Sequence, residues 1–428
     1  MRGTVHVVGA GLAGLSAAVR LAVAGRRIVL YEASRAAGGR CRSYHDAGLG
    51  LTIDNGNHLL LSGNRSALDY VALVSGNAAL DGSPDAAFDF ADVRTGERWQ
   101  LRPNTGRVPW WVLTPSRRVP GSRVRDYLQP LAILRAPHDA AIGEVMRCDG
   151  PLWERLWHPV LLAALNTAPE TATAGLAATI LRETLGAGGS ACRPIVATGG
   201  LSAAFVEPAL AMLRRCGGTI RFGTRVRAIG TEGERVRALD TSDGAVTVQE
   251  GDNVVLALPA PVAADLLPGL TVPTEFRAIV NAHFRVVPPP GTPLLLGLVG
   301  SLSEWLFCYP DRLSVTISGA DRLLDTSREE LAAQIWREVA AVTGLASEPM
   351  PPWQIVKERR ATFAATPAME KLRPAATTIW KNLVLAGDWT DTGLPATIEG
   401  AIRSGEKAAS LLQRSDGLAT RRVPEVQT

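Results

Sequence analysis

The chain has 428 residues, 46% of them hydrophobic, with 45 basic and 41 acidic side chains. That length and apolar content can bury a large core and suit two domains, and a net charge of +4 gives no sign of a nucleic-acid partner. The five cysteines are scattered and lack a CxxC spacing, which argues against a disulfide framework or a metal site and fits a reducing cytoplasm. No uncharged apolar run reaches the length of a bilayer span.

From the N-terminus, residues 5–8 read as a buried parallel strand. Gly9, Gly11 and Gly14 follow in the spacing GxGxxG, and an Ala-rich helix that includes Ala13 runs to about residue 24, where Gly25 suits a C-cap. A second strand, 27–31, delivers Glu32 and Ala33. In a dinucleotide-binding unit the first glycine makes the tight turn, the second admits a pyrophosphate and the third packs helix on strand. The helix N-terminus then meets the phosphates with free amides. Glu32 suits a ribose 2′-hydroxyl and would repel a 2′-phosphate. The competing reading, a secretory signal peptide, would lose the glycine loop on cleavage.

Arg35, Gly38, Gly39, Arg40 and Ser43 spell RxxGGRxxS. Two glycines let backbone pass close to a cofactor, and an arginine fork can meet phosphate charge. The stretch resembles the second glycine motif of the flavin amine oxidase and carotenoid desaturase superfamily. That resemblance implies FAD and an α/β fold, with a Rossmann-like FAD-binding domain of the glutathione-reductase and amine-oxidase type carrying an inserted α+β substrate domain. It further implies that residues 51–58 return to the flavin ring, with Gly56 and Asn57 beside it. His58 is then either a polar group at the flavin or a hydrogen-bonded structural histidine.

Residues 76–97 are polar and leave the nucleotide domain. The window 98–125 holds seven arginines and no acid around Trp110 and Trp111, where chain-wide usage would give about three arginines. Tryptophan among basic residues suits a bilayer interface; the alternative is a packed loop in an arginine-rich protein. Residues 131–185 are mostly helical, with Trp153 and Trp157 in an apolar stripe that reads as core. The pattern from 198 to 229 resembles the superfamily's return to its nucleotide domain, which places the backbone of Val226 beside the adenine. Residues 262–375 carry strands, and Trp305, Phe307 and Tyr309 share one strand face that could line an apolar cavity.

Residues 382–389 form another buried strand running into Gly387 and Asp388. Gly-Asp alone would be a simple turn. The resemblance implies that Asp388 bonds the FAD ribityl chain and that a helix starting in 394–401, with Thr397 and Ile398, points its amides at the flavin's pyrimidine edge. Negative charge gathers there on reduction. The expected map is an FAD-binding domain of 1–75, 190–260 and 378–415, a substrate domain of 76–189 and 261–377, and a tail of 416–428.

Taken whole, the chain resembles the hydroxysqualene dehydroxylase family of bacterial hopanoid pathways, through IDNGNHLLLSGN and LVLAGDWTDTGLPATIEGAIRSGEKAA above all. This implies reductive removal of the hydroxyl of hydroxysqualene to give squalene, by a cytoplasmic enzyme resting on the inner face of the cell membrane. An allylic alcohol leaves as water once a general acid protonates it; His58, Asp391 and Glu399 are the candidates. A carotenoid-type desaturase, a flavin amine oxidase and a prenyl-binding carrier stay open, although the carrier would lack a complete flavin constellation. A single dinucleotide fingerprint makes a built-in NAD(P)H site doubtful.

Overall fold

The structure is a computed structural model that describes residues 3–75 and 80–415; residues 76–79, where one expected domain boundary falls, and the expected tail lie outside the described residues. In chain order the elements that matter here are β1 (Thr4–Val8), α1 (Leu12–Val23), β2 (Arg27–Glu32), α2 (Arg65–Ser75), β3 (Phe88–Asp92), β4 (Arg98–Leu101), α3 (His158–Leu165), β5 (Thr219–Phe222), β6 (Asn253–Leu256), β7 (Phe276–Phe284), β8 (Leu295–Val299), β9 (Trp305–Tyr309), β10 (Arg312–Ile317), α4 (Arg328–Thr343), β11 (Trp353–Phe363), β12 (Leu383–Leu385) and α5 (Ile398–Ser415).

Five strands form a parallel sheet in the order β5-β2-β1-β6-β12. Their near-continuous apolar runs follow from burial on both faces. Alternation divides them between two cores: Val5, Val7, Val255 and Val384 join one cluster, and Val8, Val254, Leu256, Leu383 and Leu385 join another. α1 and α5 cover the first face. They approach closely because Gly405 has no side chain: a Cβ there would lie 2.3 Å from the Ala13 carbonyl oxygen. Ser16 Oγ donates to the Ile402 carbonyl across the same crossing (2.9 Å).

The sheet draws on three separate stretches of chain, and a second sheet of seven strands, β11-β7-β10-β9-β8-β3-β4, is built from the stretches between them. Only the β8–β3 pair in it is parallel. One face packs on α4 through Val280, Phe284, Leu306, Val315, Leu331 and Ile335. Trp305, Phe307 and Tyr309 share the opposite face, in an apolar cluster with Phe90, Trp99, Trp153, Trp157, Leu161 and Leu165.

Candidate active site

The cleft is built where β1 runs into α1. Gly9 turns the chain at φ 105°, and a Cβ there would meet the Ala257 carbonyl oxygen at 2.3 Å. Gly14 sits so close to the Gly9 carbonyl that a Cβ would lie 2.0 Å away, whereas a Cβ at Gly11 would have nothing within 4 Å. The middle glycine therefore faces open space at the N-cap of α1, which has no side-chain cap. Amides at such an end lack intrahelical partners, and they point where an anion can approach.

Glu32 closes one side. The Ala10 amide donates to its Oε2 (2.9 Å) and the Ser34 amide to its Oε1 (2.9 Å). A carboxylate has about four lone-pair sites, so acceptor capacity remains. Ala33 is exposed beside it. The Thr224 amide donates to the Glu32 carbonyl (2.9 Å), which brings the start of the strand Val226–Glu232, with buried Val226, alongside. Gly38 bonds back to the Ala10 carbonyl (2.8 Å) at φ 106°, and Gly39 would set a Cβ 3.5 Å from Gly11 Cα.

Arg40 joins the two ends of the chain. Its Nη2 donates to Asp388 Oδ2 (2.7 Å) and its Nη1 to the Ala361 carbonyl. The Asp388 charge strengthens the hold of the guanidinium on its proton. The Arg40 side chain keeps 44% exposure although Asp388 is 7% exposed, so it lines a cleft. Gly387 has no room for a side chain beside Trp389 Nε1, 2.3 Å from a built Cβ. Thr397 caps α5 by accepting from the Gly400 amide (3.0 Å), and Ile398 is buried at the first position of the helix.

Arg373 supports this loop and carries no motif that would reveal it. It is buried, donates to the carbonyls of Asp388 (3.2 Å) and Thr390 (3.1 Å), and pairs with Glu370 (2.8 Å).

From the other side come Gly56 and Asn57. The Asn57 amide donates to Asn281 Oδ1 (3.3 Å) and its Nδ2 to Thr316 Oγ1 (3.1 Å), which fixes the turn on the face that carries Trp305. A Cβ at Gly56 would lie 3.3 Å from Asn281 Nδ2. His58 is half-buried, and its Nδ1 lies 2.8 Å from the Gly56 carbonyl. A carbonyl only accepts, so Nδ1 carries the proton and Nε2 is left as an acceptor. Burial pushes the imidazole pKa down. A ring held this way, donating through Nδ1 with Nε2 free to accept, can orient its neighbours at the turn.

Glu399 makes structural contacts. Its Oε1 accepts from the Ser66 amide (3.1 Å) and Arg403 (2.9 Å), and its Oε2 from the Ala67 amide (2.8 Å). It caps the start of α2, and both of its oxygens already accept hydrogen bonds. Asp391 is exposed, on the loop that Arg373 braces, with its amide on the Pro374 carbonyl (2.8 Å).

The basic window divides. Trp111 is core, 6% exposed and edge-on to Tyr127, while Trp110 is 50% exposed beneath Arg117. Of the two tryptophans expected at a bilayer interface, Trp110 alone is exposed. Val108, Leu113, Val124, Leu128 and Leu131 are exposed with it. Among the described residues no helix is long and apolar enough to cross a membrane.

An uncapped helix end beside a glycine with open space, a carboxylate with spare acceptor capacity and a cleft-lining arginine fit a dinucleotide pyrophosphate and its ribose. The family model described as flavin containing amine oxidoreductase matches residues 12–413. The chain is 54% identical to a hydroxysqualene dehydroxylase of Rhodopseudomonas palustris over 96% of this chain and 99% of that one. It is 45% identical to one of Zymomonas mobilis over 95% and 98%. Cyclohexylamine oxidase of Brevibacterium oxydans superposes with a TM-score of 0.70 at 16% identity, over 97% of this chain and 100% of that one, which is a likeness of fold. The cofactor is FAD. The chain belongs to the flavin-containing amine oxidoreductases and, within them, to the hydroxysqualene dehydroxylase family.

Proposed function

We propose that the chain reductively removes the hydroxyl group of hydroxysqualene to give squalene. The near-full-length likeness to hydroxysqualene dehydroxylases carries this reading, and the apolar aromatic face of β9 supports it. Reduced FAD, when bound, supplies the hydride. The residues do the rest. Gly9, Gly11, Ala13 and Gly14 receive the pyrophosphate at the start of α1, and Glu32 holds a ribose hydroxyl, with Ala33 and Val226 flanking the adenine. Gly38, Gly39 and Arg40 close over the cofactor, and Gly387 and Asp388 meet its ribityl chain. Thr397 and Ile398 present the end of α5, and Gly56 and Asn57 lie beside the ring. His58 and Asp391 shape the polar edge. Trp305, Phe307 and Tyr309 keep water from an allylic cation.

In this reading residues 1–75, 190–260 and 378–415 form the FAD-binding domain, and 76–189 and 261–377 the substrate domain. The protein works in the cytoplasm, on the inner face of the membrane, because a squalene-sized hydrocarbon resides in lipid. The exposed apolar and basic residues between Val108 and Leu131 are its docking surface.

The test is one anaerobic turnover. Protein reduced by dithionite is mixed with hydroxysqualene, flavin absorbance is followed and the product is identified. Flavin reoxidation with one equivalent of squalene is expected. Reoxidation without squalene, or a more unsaturated product, would overturn the reading.

A further inference from the structure

We infer that a cavity beside the docking surface receives the phosphate headgroup of an anionic phospholipid, an assignment that rests on the docking reading. The cavity has a volume of about 400 Å³ and is walled by three stretches of chain, through Ser62 and Arg65, Thr105 and Arg107, and Glu183 and Ser190. That volume lies in the range of small-molecule sites.

Backbone contacts fix the walls to one another. The Gly189 amide donates to the Asn104 carbonyl (2.8 Å) and the Ser190 amide to the Thr105 carbonyl (3.3 Å). On the other side the Gly63 amide donates to the Ala191 carbonyl (2.9 Å), and Ser62 Oγ to the Ser190 carbonyl (2.8 Å). Gly188 and Gly189 permit this approach, since a Cβ on either would lie 2.5 Å or 2.7 Å from the carbonyl oxygens of Thr105 and Asn104. The site is therefore formed before any ligand arrives, which lowers the cost of binding.

The charge of the cavity is unbalanced. Glu183 is the one acid in its lining, and it is engaged by Arg403 through two bonds of 3.0 Å and 2.8 Å. Arg65 and Arg107 are exposed, and neither guanidinium has a partner among the described residues. The Thr105 and Ser190 hydroxyls likewise have none. Two planar forks of N–H donors with hydroxyls between them suit the oxygens of a phosphate.

The neighbourhood favours a lipid over a free phosphate. Arg107 is followed by Val108 and Trp110, both exposed. Buried Asn104 holds the two parts of this loop together. Its Nδ2 donates to the carbonyls of Gly106 and Val108 (both 3.0 Å), and the Trp111 amide donates to its Oδ1 (3.3 Å). An indole suits the headgroup level. The loop thus sets Arg107 at the depth of the lipid phosphates, with Val108 and Leu113 free to meet the acyl chains. A soluble anion would gain nothing from those apolar side chains.

The test uses FAD-loaded protein and three probes: phosphatidylglycerol vesicles, monomeric dihexanoylphosphatidylglycerol and inorganic phosphate. Arg65→Gln with Arg107→Gln is compared with Arg214→Gln with Arg215→Gln. The second pair removes the same charge from the exposed end of the helix Glu207–Arg215. Vesicle affinity should fall about 30-fold in the first pair and little in the second, with flavin content and Tm unchanged in both. The phosphorus resonance of the monomeric lipid should broaden with the parent and with the second pair, but not with the first. Inorganic phosphate should displace that lipid only at much higher concentration.

Equal losses in the two pairs would reduce the effect to net charge and overturn the assignment. Displacement by inorganic phosphate at equal concentration would make this a phosphate site and overturn it too. If the first pair binds both lipid probes like the parent, the cavity is not the headgroup site, and docking through the apolar residues stands. If the parent does not bind phosphatidylglycerol vesicles, the docking reading falls with the assignment.

Discussion

Single residues divide by how far their partners lie along the chain. Glu32 is legible in the sequence because its work is local: it follows the glycine loop by one strand, and Ala10 and Ser34 engage it. Glu32→Ala should weaken FAD retention by about 1.5–3 kcal/mol, read as a rise in the dissociation constant when apoprotein is titrated with FAD. An unchanged constant would place the ribose elsewhere. Arg373 was not legible, since nothing in its neighbourhood predicts that it will brace the Asp388 loop. Removing it strands the Glu370 carboxylate, whose side chain is 9% exposed. Breaking a buried pair by deleting one partner costs about 3–5 kcal/mol. Arg373→Met should therefore lower Tm sharply and release FAD together with the loop; a Tm equal to the parent's would show that the pair is not needed. The contacts of the acid candidates were hidden for the same reason. His58 and Glu399 have suitable side chains, and only folding reveals that one is bonded to the Gly56 carbonyl and the other to the first amides of α2.

Elements were easier to recognise than their neighbours. Apolar runs identify β1, β2, β6 and β12 one by one, and glycine chemistry marks the start of α1. That β6 and β12 lie next to β1 is a long-range fact, with partners such as Val254 and Leu383 far apart in sequence. The crossing of α1 and α5 is the clearest case. Both helices have small residues, but only the structure shows Gly405 set against Ala13 and Ser16. A methyl group there must push α5 away from α1, and overpacking of this kind costs about 1–3 kcal/mol. The displaced α1 carries the glycine loop at its start. Gly405→Ala should therefore lower Tm and the flavin content of purified protein together, measured by thermal scanning and by the ratio of flavin to protein absorbance. Normal flavin content with normal Tm would mean that the helices have room to spare.

At the scale of the molecule the question is where an insoluble substrate enters. The sequence supplied a window rich in arginine and tryptophan, but not its orientation, because short irregular turns such as Trp110–Leu113 have no periodicity to read. Folding sinks Trp111 and lifts Trp110 and Leu113, and it extends the exposed apolar group to Leu128 and Leu131, beyond the expected window. Arg117 lies over the Trp110 ring, 5.0 Å from its centroid. Indole suits the headgroup level, and each arginine near an anionic surface adds about 1 kcal/mol. The charge contribution is screened by salt; the apolar one is not. The parent should therefore sediment with vesicles rich in phosphatidylglycerol at low salt, less at high salt, and weakly with phosphatidylcholine alone. Trp110→Ser, Leu113→Ser, Arg117→Gln and Arg125→Gln combined should stay in the supernatant while keeping FAD and Tm. Trp111→Ala should do the reverse, losing stability by about 3–5 kcal/mol as a buried ring is removed. If the fourfold variant sediments like the parent, this face is a packed loop and the substrate enters from another side.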